Sequence, residues 1–142
     1  MRRYLIVANQ TLAGDHLLER VRDLAAGGDC AFHVLVPATR PKDHLTATEG
    51  EGMAIARGRL ERALERFRGL GIEVTGEVGD PRPLDAIRDA FLEEEYDGIV
   101  LSTLPPGMSA WLGMDLPNRV RRTFAVPVTH IAAESGMPVS PT

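Results

Sequence analysis

Hydroxyl, amide and imidazole groups are the chemistry on offer in this chain. Ser102 and Thr103 follow directly on the apolar run GIVL at 98–101, and Ser109 stands further on, in a stretch broken by Pro105, Pro106, Gly107 and Gly113. A serine hydroxyl becomes a nucleophile when a histidine takes its proton, and His130 and His33 sit on other apolar runs. No G-x-S-x-G turn presents either serine, and hydroxyls at strand ends commonly bond to nearby backbone instead. Catalysis is thus the weaker reading, and hydrogen bonding the stronger. His33, inside AFHVLV at 31–36, reads as a core residue hydrogen-bonded to backbone or water. A single cysteine, Cys30, excludes an intramolecular disulfide and a cysteine zinc cluster. There is no HExxH, no paired histidine spacing and no carboxylate cluster in the proline-rich stretch, so no metal is expected.

These groups are placed by a strand, loop, helix, strand unit at 96–131. GIVL is short, apolar and β-branched, as in a strand buried on both faces of a parallel sheet. The prolines and glycines after it forbid regular structure over about a dozen residues, longer than a connection needs. Ligands of open α/β sheets bind outside the carboxyl ends of strands, which is where this loop starts. Asp115 is placed to cap a helix that has Pro117 in its first turn and runs to about Phe124. Val126 to Ile131 then makes a last strand. Leu104, Met108, Trp111 and Leu112 either fold the loop onto the body or form a subunit contact.

The rest of the chain alternates in the same way. Tyr4 to Ala8 is an apolar strand that ends at Asn9, and Thr11 or Asp15 can open a helix with Leu17, Leu18, Val21, Leu24 and Ala25 at helical spacing. Ala31 to Val36 is the second strand, and 37–52 reads as a polar loop. Met53, Ala56, Leu60, Ala63, Leu64, Phe67 and Leu70 mark a long amphipathic helix. Its charge run from Arg57 to Arg68 reads as a solvated face held by local ion pairs rather than an anion site. Ile72 to Val78 alternates like an edge strand. A helix with Asp80 as its cap and Leu84, Ile87, Ala90 and Phe91 inward follows. Strand and helix alternate four times before a fifth strand, which predicts one doubly wound α/β domain over 1–132, helices on both faces, and a disordered tail at 133–142.

Four stretches resemble the universal stress protein family: the first strand ending at Asn9, FHV at 32–34, GDP at 79–81, and YDGIV leading to VPVTHI. The resemblance implies strand order 3-2-1-4-5 with Asn9 and Ser102 facing one another across the crevice between strands one and four. Nucleotide-binding members have an aspartate where Asn9 stands, use the backbone at Val34 for adenine, and hold phosphates in a G-x-x-G-x9-G-[ST] loop. Here Ser102 and Pro105 replace the leading glycines, and the closing Gly-Ser pair falls, within one residue, on Met114 and Asp115. A proline has no amide to give a phosphate. A carboxylate about 4 Å from an anion costs roughly 1 kcal/mol in water and about 4 at an intermediate dielectric. The helix dipole returns about 0.3–1.

The function implied is a noncatalytic, dimeric stress-response module that works through protein contacts or a small ligand, without strong ATP binding. Asn9, Val34, Ser102, Thr103, Gly107, Ser109 and Asp115 are the ligand-site candidates. The alternative is a sensor of ATP, AMP or adenosine with a rewritten loop, binding weakly. A homodimer joined through the last strand is expected, with Trp111, Val126, Val128 and Ile131 at the seam. A net charge of −4 over 142 residues leaves no footprint for nucleic acid. The apolar run after Arg3 is too short for a signal or membrane segment, and a cytoplasmic protein is expected.

Overall fold

A computed structural model describes residues 1–38 and 49–133. The elements are β1 (Arg2–Val7), α1 (Asp15–Ala26), β2 (Cys30–Pro37), α2 (Glu49–Gly69), β3 (Val74–Gly79), α3 (Pro83–Glu93), β4 (Gly98–Thr103), α4 (Ala110–Gly113), α5 (Leu116–Thr123) and β5 (Val128–Ala132). All pairings are parallel and the strand order is β3-β2-β1-β4-β5, as the resemblance implied. β1 aligns Leu5 with His33 on one side and Ile99 on the other.

Alternation along the strands supplies two apolar layers. Ile6, Val34, Val36 and Val100 pack with Leu17 and Val21 of α1 and Ala56, Leu60, Ala63 and Phe67 of α2. Leu5, Val7, Leu35, Ile99 and Leu101 face the other way, against Ala86, Ile87 and Ala90 of α3, Trp111 of α4, and Leu116 and Val120 of α5. The central strands read as unbroken apolar runs because both faces are covered.

Several local expectations are corrected. The part of the polar loop at 49–52 is already helix, the first turn of α2, while 39–48 lie outside the described residues. Met53 and Leu70, counted on the apolar stripe of α2, are 45% and 47% exposed. Asp80 does not cap α3, which starts at Pro83 behind Arg82. Its carboxylate accepts from the Arg82 amide at 2.8 Å and pairs with the Arg82 guanidinium, and those contacts hold it below the usual carboxylate range. The loop after β4 contains the one-turn helix α4. Ser109 caps it, its Oγ accepting from the Leu112 amide at 3.1 Å. Asp115 precedes α5 in the left-handed region (φ 58°, ψ 38°) and makes no side-chain cap. Its Oδ1 accepts from Asn118 Nδ2 at 2.9 Å. Ala133, assigned to the tail, is buried and donates its amide to Thr103 O at 2.9 Å. The remainder of the expected tail, 134–142, lies outside the described residues.

Candidate functional site at the carboxyl ends of β1 and β4

The chain leaves β1 toward β2 on one side and returns to β4 on the other, so the connections diverge at the carboxyl ends of β1 and β4. The buried polar side chains among the described residues are Asn9, Thr11, Arg59, Ser102 and Thr103. All of them belong to this end of the sheet. Asn9 and Thr11 come directly after β1, Ser102 and Thr103 end β4, and Arg59 reaches in from α2.

Each polar group there meets another. Asn9 Nδ2 donates to Pro37 O at 2.8 Å, and Asn9 Oδ1 accepts from Arg59 Nη1. An aspartate at this position would set a carboxylate oxygen against the Pro37 carbonyl and lose the N–H that bridges them. Ser102 Oγ lies 2.6 Å from Thr11 Oγ1 and 3.3 Å from His16 Nε2. Thr103 Oγ1 lies 2.9 Å from His130 Nε2. Burial, with Arg121 adding to it, holds the His130 pKa below the ordinary histidine value.

The candidate residues separate into those the fold gathers and those it does not. Asn9 and Ser102 lie at the crevice, whereas Thr103, the next residue of β4, turns to the opposite face and meets His130 of β5. Val34 is fully buried within β2, in register between Ile6 and Gly76. It lies three residues before Pro37, about 10 Å along the strand. The β2 backbone that meets Asn9 belongs to Pro37. Gly107 occupies an exposed turn after Pro106 with φ 86°, and the Met108 amide donates across that turn to Pro105 O at 3.0 Å. Ser109 and Asp115 are engaged locally, as described above.

The amides of the same loop are largely spent within it. Those of Met108 and Ser109 donate to Pro105 O at 3.0 and 3.2 Å. The amides of Gly113, Met114 and Asp115 donate to Ser109 O, Ala110 O and Leu112 O at 3.1 Å each. A phosphate cradle needs amides that point outward together.

Nucleophilic catalysis by Ser102 has a different imidazole neighbour from either one anticipated. His16 approaches it, whereas His130 meets Thr103. His33 bonds across β3, with Nδ1 2.7 Å from Thr75 Oγ1 and Nε2 2.7 Å from Glu77 Oε2. Side chains of β3 satisfy both of its ring nitrogens. Ser102 is 1% exposed with its hydroxyl shared inside the protein, whereas an elbow serine projects into an open site.

Three residues at the crevice were not anticipated from the sequence: Thr11, read only as a possible helix start, Arg59 and His16. Arg59 belongs to the charge run read as solvated, yet it is 4% exposed. Burial and then the charge of Arg62 lower its pKa from the ordinary arginine value. A helical projection carries the signal, because 59 shares a stripe with Ala56, Leu60 and Ala63. His16 lies in the first turn of α1, and the amino end of a helix that follows a parallel strand faces the same crevice.

The proposed seam residues also divide. Trp111 is 8% exposed and belongs to its own chain's core, in the layer that holds residues of α3 and α5. Val126 and Val128 are half-buried against the same layer, and Ile131 against the α1/α2 layer.

No family model matches the chain. No curated protein matches its sequence. Among solved structures, the chain is similar to a universal stress protein family protein from Arabidopsis thaliana with AMP bound, at a TM-score of 0.65 and 10% identity, over 95% of this chain and 94% of that one. The likeness is one of fold. It extends over nearly the whole of both chains, so the five-stranded universal-stress-protein-like α/β architecture is shared from β1 to β5. No described helix is long and apolar enough to cross a membrane.

Proposed function

We propose that the chain is a noncatalytic module of the universal-stress-protein type that takes a small ligand or a protein contact at the β1/β4 crevice and binds ATP weakly. One observation carries this reading: four of the buried polar residues of the described chain, Asn9, Thr11, Arg59 and Ser102, meet in hydrogen-bonded pairs at that crevice. The internally bonded amides of the Pro105–Asp115 loop support the weak hold on a triphosphate. Thermal shift with ATP and magnesium tests it. At a ligand concentration equal to Kd, stabilisation is only about 0.4 kcal/mol, so near-millimolar ATP should move Tm by no more than about 1–2 °C. A low-micromolar Kd would overturn the reading.

A second reading, a nucleotide-binding sensor, has one observation in its favour, the AMP held by the similar Arabidopsis protein. Asn9, Ser102, Thr103 and Ser109 would then supply its hydrogen bonds. AMP and adenosine arms in the same titration separate the readings. Saturation by AMP well below millimolar concentration, lost in Asn9→Ala, selects the sensor.

The module acts as a homodimer joined through β5. The support is that β5 ends the described sheet with an open row of backbone groups. Sedimentation at micromolar concentration tests this, and a monomer of 15.5 kDa unaffected by Val128→Arg would overturn it.

A further inference from the structure

β3 is an edge of the described sheet, and its two rows of backbone groups differ in their partners. The Phe32 amide donates to Glu73 O at 3.0 Å and the Ala38 amide to Gly79 O at 3.1 Å. Parallel pairing uses alternate residues of a strand. Residues 73, 75, 77 and 79 therefore turn their backbone groups toward β2, and Val74, Gly76 and Val78 turn theirs outward. Arg68 closes one end of the outer row, its Nη2 donating to Val74 O at 3.2 Å. The amides and carbonyls of Gly76 and Val78 bond to no described group. An open stretch of this kind is a template for a further strand.

Beside this edge lies a groove of about 930 Å³, lined by Glu77 and Val78 of β3, Asp89, Leu92 and Glu93 of α3, and Met53 of α2. Leu92 and Met53 expose apolar surface to it. Elsewhere in the groove Asp80 is paired with Arg82, and Glu77 meets His33. Asp89 and Glu93 enter no ion pair among the described residues, and they set the charge of the groove. Four positions apart on one helix, they are separated by about 6 Å along its axis. Alternate side chains of an extended strand repeat at about 6.6 Å.

We propose that the β3 edge takes up an extended peptide of a partner protein as an added strand, with lysine or arginine at alternate positions and aliphatic residues between them. Its backbone pairs with the N–H and C=O groups of Gly76 and Val78, as in other strand additions at open sheet edges. Strand alternation sends the basic side chains to the α3 face, against Asp89 and Glu93, where Leu92 covers their methylene stems. The aliphatic side chains fall on the α2 face, beside Val78 and Met53. A second copy of this chain matches the groove less well, because its edge strands VTGEVG and VTHIA carry no lysine or arginine. The groove shares no residue with the β1/β4 crevice, so the proposal is independent of the ligand read there.

Amide-resolved NMR of the full chain, titrated with the capped peptide Lys-Val-Lys-Val-Lys-Val, tests this. Binding should saturate below about 1 mM with shifts centred on the Gly76 and Val78 amides. Asp89→Asn combined with Glu93→Gln should weaken it about three- to tenfold, as loss of two exposed ion pairs does, with circular dichroism confirming the fold. A strand pairs through one of its two rows, so the peptide N-methylated at its lysines and the one N-methylated at its valines should differ, one binding and the other not. Equal responses to the two overturn the strand pairing. No saturation by about 1 mM, equal binding of the peptide with glutamate in place of lysine, an affinity unchanged in the double variant, or shifts at Asn9 and Ser102 instead overturns the site. Spermine binding as tightly as the peptide makes the groove a small-cation site and overturns the docked strand. Shifts at Gly76 and Val78 that follow protein concentration without peptide assign the edge to a second copy, which overturns it too.

Discussion

Asn9 and Arg59 show how one buried contact changes the meaning of a residue. Arg57 and Arg59 stand two apart in the same charge run, yet Arg57 is exposed and Arg59 is held against Asn9. Removing the guanidinium strips Asn9 Oδ1 of a charged donor in a buried site, and hydrogen bonds to charged groups contribute about 1.5–3 kcal/mol. Arg59→Ala should therefore cost about 2–3 kcal/mol in urea unfolding, and Arg57→Ala less than about 0.5. Equal effects would return Arg59 to the solvated face where its neighbours lie. Ser102 offers a parallel lesson, since its hydroxyl is a buried partner of Thr11 and His16 and not an exposed nucleophile.

At the scale of elements, the approach of α2 to β3 depends on Gly76. A Cβ there would stand 2.5 Å from Leu60 Cδ1 and 3.1 Å from Val34 O. Leu60 is a flexible side chain, but the Val34 carbonyl belongs to a central strand paired on both sides. Overpacking of this kind costs about 1–3 kcal/mol, so Gly76→Ala should lower the urea midpoint accordingly. An unchanged midpoint would mean that α2 slides outward freely. The helices also show where local signals stop short. Asp80 and Asp115 have the chemistry of helix caps, yet each turns to a nearer partner, the Arg82 amide and the Asn118 amide group. A short polar side chain takes whichever donor the backbone brings closest.

For the whole molecule, the decisive feature is that one sheet is covered on both faces by helices of the same chain. Trp111 shows the consequence. An apolar residue in a long loop is equally suited to a subunit contact and to a core, and here it is buried in the layer shared with residues of α3 and α5. Trp111→Ala should cost about 3–5 kcal/mol, a large part of the roughly 5–15 that holds a domain together. It should leave the association constant of the folded fraction unchanged in sedimentation equilibrium. Weakened association at full stability would put the indole back at the seam.

The order of strands and helices was legible in the chain because apolar runs, helical spacing and the glycine and proline breaks are local properties, and local spacing is enough to predict alternating strands and helices. The placement of Asn9 and Ser102 at one crevice followed from that alternation once the family resemblance suggested the strand order. What only the tertiary structure decided was which side chains reach across elements: Arg59 to Asn9, His16 to Ser102, His130 to Thr103, and Trp111 inward. Those contacts depend on the rotation of each helix about its axis and on the register of parallel strands. Neither is encoded in local sequence, because a charged or aromatic residue has the same neighbours in the chain whether it turns toward water or toward the sheet.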